Sequence, residues 1–130
     1  MHDIQNEGDI KILIDTFYGK VRKDNTIGFI FNELIGDNWD HHLPQMYKFW
    51  NMVLLSQPGY VGSPTKKHVE VDRKIPLQPQ HFERWLSLWN DTVDSLFHGE
   101  IALQAKEKAK LMANLISIKV EDGRKEGFIQ

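Results

Sequence analysis

The sequence predicts an all-α fold. Two observations carry that prediction: apolar residues recur at helical spacing along most of the 130 residues, and the helix-breaking residues concentrate in one segment, 56–80. Taken in order, the first helix covers residues 9–24, where Ile10, Leu13, Ile14, Phe17, Tyr18 and Val21 share a face and Asp9 suits the N-cap. Residues 1–8 form an N-terminal extension too short for a substantial helix of its own. A short apolar helix follows over Thr26–Leu34, stopped by Gly36. Asp37 then suits the cap of a third helix carrying Trp39, Leu43, Met46, Phe49, Trp50, Val53 and Leu54, kinked at Pro44 or starting properly only near it.

The segment 56–80 breaks the pattern. It holds Pro58, Pro64, Pro76 and Pro79 with Gly59 and Gly62, which leaves space for one or two helical turns around Thr65–Val69. Loops of this length are uncommon in compact domains and tend to be functional or disordered. Tyr60, Val61, Val69, Val71, Ile75 and Leu77 supply apolar anchors that argue for order, so something should hold the segment in place. Pro79 opens a clear amphipathic helix with Phe82, Trp85, Leu86, Trp89, Val93, Leu96 and Phe97 in its stripe, ended by Gly99. The last helix, from Glu100 to about Val120, aligns Ala102, Ala105, Ala109, Met112, Ala113 and Ile116, small enough for close helix–helix approach. Residues 121–130 are a charged tail expected to fray. The organisation expected is a single domain over residues 1–130.

Composition narrows the function. With 41% hydrophobic residues a sizeable core is affordable, and a net charge of −2 gives no electrostatic footing for non-specific nucleic-acid binding. No apolar run approaches the roughly 20 residues of a membrane span. The opening Met1-His2-Asp3-Ile4 lacks the pattern of a secretory signal, so a cytoplasmic location is expected. Zero cysteines exclude disulfides, thiolate metal sites and iron–sulfur clusters. Nothing forces association, and a monomer is the expectation.

The six histidines, His2, His41, His42, His68, His81 and His98, make no helical pair and no His-Glu-x-x-His motif, so the ligand spacing of a zinc site is missing. A cofactor that brings its own equatorial ligands needs one axial imidazole only, and haem is the obvious case. His68, inside the proline-rich segment, is the best axial candidate; a plain surface histidine is the competing reading. Tyr18, His42 and Trp85 place polar tips on otherwise apolar stripes of three different helices. A buried donor needs a partner, and these three could converge on a ligand at iron or each find a backbone carbonyl. Lys66, Lys67, Arg73 and Lys74 form a basic patch that suits either solvent or an anion such as a haem propionate.

Six segments together resemble the third group of the truncated haemoglobins. They are FYGKVRKD at 17–24, IGFIFNELIG at 27–36, WDHHLPQMYKFWNMVLL at 39–55, YVGSPTKKH at 60–68, HFERWLSLWNDTVDSLFHG at 81–99 and AKEKAKLMA at 105–113. They run in the right order over most of the chain. The resemblance implies a two-over-two helical sandwich around haem b, with a very short proximal helix set in a long loop. It implies His68 as the proximal iron ligand, Tyr18 and Trp85 as distal donors, and His42 as the distal-helix histidine. Met46 would lie over the haem, Phe31 would pack on its face, and Phe49 and Trp50 would line or back the pocket. Phe29 stands where the family usually has proline, and the stretch VEVDRKIPLQPQ after His68 is a few residues longer than in many relatives.

The function expected is reversible binding of O2 and other diatomic ligands (CO, NO), serving oxygen binding or transport. The alternative is a haem-dependent redox enzyme acting on peroxide or nitrogen oxides, which would need a separate reductase because no flavin or nicotinamide motif is present. A cofactor-free helical interaction domain would explain the helices but not the segment around His68.

Overall fold

The computed structural model describes the backbone of residues 1–62 and 64–129, and their side chains except at positions 64–67, 69 and 125–129. Among the described residues there are six helices: α1 (Glu7–Lys23), α2 (Gly28–Ile35), α3 (Trp39–Leu55), α4 (Pro64–Lys74), α5 (Pro79–Leu96) and α6 (Glu100–Ile129). The pair α1 and α3 packs against the pair α5 and α6, chiefly through α1 on α5, and α4 lies mainly on α6. This is the expected two-over-two all-α architecture.

Each end is set by local chemistry. Asn6, not Asp9, is the N-cap of α1: its side chain accepts from the Asp9 amide at 3.0 Å, while the Asp9 carboxylate accepts from the Gln5 amide at 2.9 Å. The two polar residues satisfy each other's turn, so the helix begins earlier than Asp9 alone suggests. At the other end of α1, the Asp24 carboxylate takes the amides of Thr26 and Ile27 and the Arg84 guanidinium of α5. Gly28 then lets α2 lie directly on α1, because a Cβ there would stand 2.9 Å from the Val21 carbonyl oxygen. Asn38 rather than Asp37 precedes α3, without a side-chain cap, and Pro44 sits inside α3.

The length expected of α4 is corrected. α4 has 11 residues, not the one or two turns expected of a very short proximal helix. Pro64 begins it and Pro76 follows it, so no proline interrupts the stretch between them. The helix α6 runs to Ile129, and Arg124 is clamped on Asp72 with contacts of 2.9 and 2.6 Å. The N-terminal extension likewise takes part in the fold. Asp3 accepts from the amides of Ile101 and Ala102 at 2.9 and 2.8 Å, capping α6, and Ile4 is buried.

The core is aromatic at its centre and small at the α5–α6 contact. Ile10, Leu13, Ile14, Phe17 and Val21 from α1 meet Trp50, Trp89 and Val93, each worth roughly 1.5–3 kcal/mol of burial by ordinary area accounting. Trp50 stacks on Trp89 with ring centroids 4.4 Å apart. Ala102, Ala105, Ala109 and Ala113 give α6 a narrow buried face. The Trp89 indole reaches across to the Ala105 carbonyl at 3.0 Å, which satisfies its N–H in the core. A second cluster of Ile30, Leu77, Ile116 and Val120 joins α2 and the α4–α5 connection to α6.

A candidate haem cavity

Between these layers lies a largely apolar cavity of about 400 Å³, within the usual range for a small-molecule or cofactor site. All eight residues singled out from the sequence line it. Tyr18 comes from α1, Phe31 from α2, His42, Met46, Phe49 and Trp50 from α3, His68 from α4 and Trp85 from α5. The structure thus brings together residues 67 positions apart in sequence at the extremes, Tyr18 and Trp85.

Tyr18 is buried, and its ring makes edge contacts with Phe17, Phe31, Trp39 and His42 at 5.0, 5.9, 5.6 and 5.4 Å. Four aromatic neighbours leave the phenol little freedom to turn away. Burial also pushes its pKa well above the ordinary tyrosine value, so the hydroxyl keeps its proton and serves as a donor. His42 sits between Tyr18 and Trp39, whose outer face carries the Arg22 guanidinium 4.6 Å from the ring centroid. Trp85 stacks parallel to Trp89 at 6.0 Å and meets Phe17 edge-on, which ties its indole to the core. Phe49 contacts both Trp50 and Tyr60, so α3 and the chain after it share one wall.

His68 reaches the cavity from a different quarter. Its helix packs on α6, whereas Tyr18 and His42 come from the α1–α3 pair. One turn beyond His68, Asp72 accepts from the Leu77 amide at 2.8 Å and from Arg124, and Arg124 also donates to the Leu77 carbonyl at 2.7 Å. Burial would raise the Asp72 pKa, but the Arg124 guanidinium and the Leu77 amide hold it below the usual carboxylate range. This cluster ties the helix carrying His68 to the end of α6.

Comparisons with known proteins identify the family. No family model matches the chain. It is 33% identical to the group 3 truncated haemoglobin ctb of Campylobacter jejuni over 112 residues, 84% of this chain and 86% of that protein. The crystal structure of the group III truncated haemoglobin from Campylobacter jejuni superposes with a TM-score of 0.79 at 32% identity, covering 91% of this chain and 94% of that one. The chain belongs to the group 3 truncated haemoglobins. Membership makes it a globin-type haem protein.

The residues present fit that cofactor. Haem needs an apolar slot and an axial ligand from the protein, and this largely apolar cavity is bordered by the imidazole of His68 on α4 and by the polar groups of Tyr18, His42 and Trp85 on other helices. Among the described residues no group of three or more His, Asp or Glu comes together as a separate metal site. No helix among them is long and apolar enough to cross a membrane.

Sequence reasoning missed part of the lining. His41, next to His42 in the chain, is exposed yet also borders the cavity, as do Asn38, Gln45 and His81. Val71, Leu77, Met112 and Ile116 close the α4–α6 side. Met112 and Ile116 lay on the legible α6 stripe, whereas Val71 and Leu77 needed the length of α4 to be known. Of the basic patch, Arg73 and Lys74 are exposed and do not border the cavity; the side chains of Lys66 and Lys67 lie outside the described residues. Phe29, at the family's proline position, is 54% exposed and meets the His81 ring edge-on at 6.0 Å.

Proposed function

We propose that the protein binds O2, and other diatomic ligands such as CO and NO, reversibly at a haem b held by His68. The carrying observation is one cavity that His68 enters from α4 while Tyr18, Trp85 and His42 enter it from α1, α5 and α3. Haem, when bound, supplies an iron centre that takes up diatomic gases and shifts electron density onto them. The chain's own residues then decide how long the ligand stays. Tyr18 offers a hydroxyl that burial keeps protonated, and Trp85 offers an indole N–H that can only donate. Both suit an acceptor that carries partial negative charge, and in a pocket sheltered from water such bonds are stronger than in bulk solvent. Met46, Phe31, Phe49 and Trp50 provide apolar lining that excludes water, and His42 stands beside Tyr18 as a further donor or gate.

A redox role toward peroxide or nitrogen oxides draws support from the same feature, since several donors around one ligand also polarise an O–O bond. Sustained turnover would then need electrons from a separate reductase. A cytoplasmic setting suits either reading. The two separate on one test: the haem-loaded, reduced protein is cycled between air and argon while its visible spectrum is followed. Repeated return to the starting ferrous spectrum supports the carrier reading. Conversion to the ferric form within the first exposure to air supports the redox reading instead.

A further inference from the structure

The cavity has a polar edge that the proposed function does not use. Asn38, His41, Gln45 and His81 all border it. Only for His81 does the structure determine which polar atom is available. Its Nδ1 accepts the backbone N–H of Gln78 at 3.0 Å, just before α5 begins. A backbone amide can only donate, so Nδ1 must present its lone pair, and the proton of the neutral ring resides on Nε2. The ring is half-buried, and Phe29 stands edge-on to it at 6.0 Å, limiting its rotation from the α2 side. His81 therefore borders the apolar cavity as a histidine with one nitrogen committed to the backbone, which leaves Nε2 as its donor. Among the described residues, no hydrogen bond fixes the polar atoms of Asn38, His41 or Gln45 in this way.

A donor bordering a cofactor slot matches an acceptor-only group, and a carboxylate is the best such partner because the bond is charge-assisted. We propose that His81 anchors a carboxylate of the bound cofactor, so that a haem propionate emerges between α2 and the start of α5. This rests on the haem reading above. It also assigns the propionate contact away from Arg73 and Lys74, which do not border the cavity.

The test uses two cofactors and two variants. Haem and haem dimethyl ester, whose propionates are esterified, are loaded into wild type, His81→Asn and His81→Gln, and cofactor loss to an excess of a haem scavenger is timed. Asn sets an acceptor near the Nδ1 position and keeps the Gln78 contact but does not reach the place of Nε2. Gln reaches it with a donor. The expected result is about tenfold faster haem loss from His81→Asn, near the low end for a charge-assisted bond because the rim is solvated. His81→Gln should recover most of that, and the three proteins should lose the dimethyl ester at one common rate. Equal acceleration with both cofactors would show that His81 acts through the fold alone, and unchanged haem loss from His81→Asn would show that it touches no carboxylate; either overturns the proposal. The failure of the haem reading looks different: wild type itself would then give no Soret band with either cofactor.

Discussion

Replacing Tyr18 by Phe isolates the distal hydroxyl. The ring is retained, and with it the edge contacts to Phe17, Phe31, Trp39 and His42 at 5.0–5.9 Å, so packing is left intact. What is removed is one donor in a site where Tyr18 is only 7% exposed. A hydrogen bond to a charged or partly charged acceptor contributes roughly 1.5–3 kcal/mol. At about 1.4 kcal/mol per decade, that corresponds to O2 dissociation on the order of 10- to 150-fold faster. Stability should change little or rise slightly, because a buried hydroxyl in the ligand-free protein costs desolvation. Stopped-flow displacement of O2 by CO measures the off-rate, and a thermal melt of the same samples checks the fold. An off-rate within about twofold of wild type, with an unchanged melt, would remove Tyr18 from the ligand network and refute the reasoning.

Other predictions follow from the supports of the site. Asp72→Ala removes the acceptor shared by Arg124 and the Leu77 amide; breaking a buried pair costs about 3–5 kcal/mol, reduced to roughly 2 kcal/mol here because Arg124 is 40% exposed. A lowered melting temperature and faster haem loss should appear together, since α4 carries His68; a normal melt would contradict the clamp. Asp3, Asp24 and Asp72 all have folded-state pKa values below the ordinary carboxylate value. Their contribution is present above that ordinary value and lost as pH falls through the lower folded values, so acid unfolding below about pH 4 should be steep. Asp72→Asn should flatten the slope, and an identical acid profile would exclude Asp72 from it. Gly28→Ala drives a Cβ to 2.9 Å from the Val21 carbonyl oxygen and 3.1 Å from that of Arg22, with backbone on both contacts. A loss of about 1–3 kcal/mol is expected in urea unfolding, and a wild-type midpoint would show that α2 can shift without cost.

Much of this was legible because helices announce themselves by period. The stripes of α1, α3, α5 and α6 are written in Ile10 to Val21, Trp39 to Leu54, Phe82 to Phe97 and Ala102 to Ile116, and the buried residues follow them closely. Helix ends were less legible. Asn6 and Asp9 are both good caps three residues apart, and spacing alone does not say which of them stands outside the helix. The length of α4 does not follow from the number of prolines around it, because Pro64 opens that helix and Pro76 follows it. The Asp72–Arg124 pair that ties α4 to α6 spans 52 positions, a pairing no local pattern contains. The cavity residues named from the sequence were those on apolar stripes or in family motifs. His81 was not among them, because its committed nitrogen appears only once Gln78 is placed against it.

Whether His68 holds a haem in this cavity is decided by absorption spectra of wild type and His68→Ala run side by side. Each protein is titrated with haemin, reduced with dithionite and exposed to CO. Wild type should give a saturable Soret band that sharpens and shifts on reduction and again with CO, and His68→Ala an altered, weaker set of bands. Identical spectra in the two proteins, or a featureless and non-saturable response from well-folded wild type, would contradict haem ligation by His68.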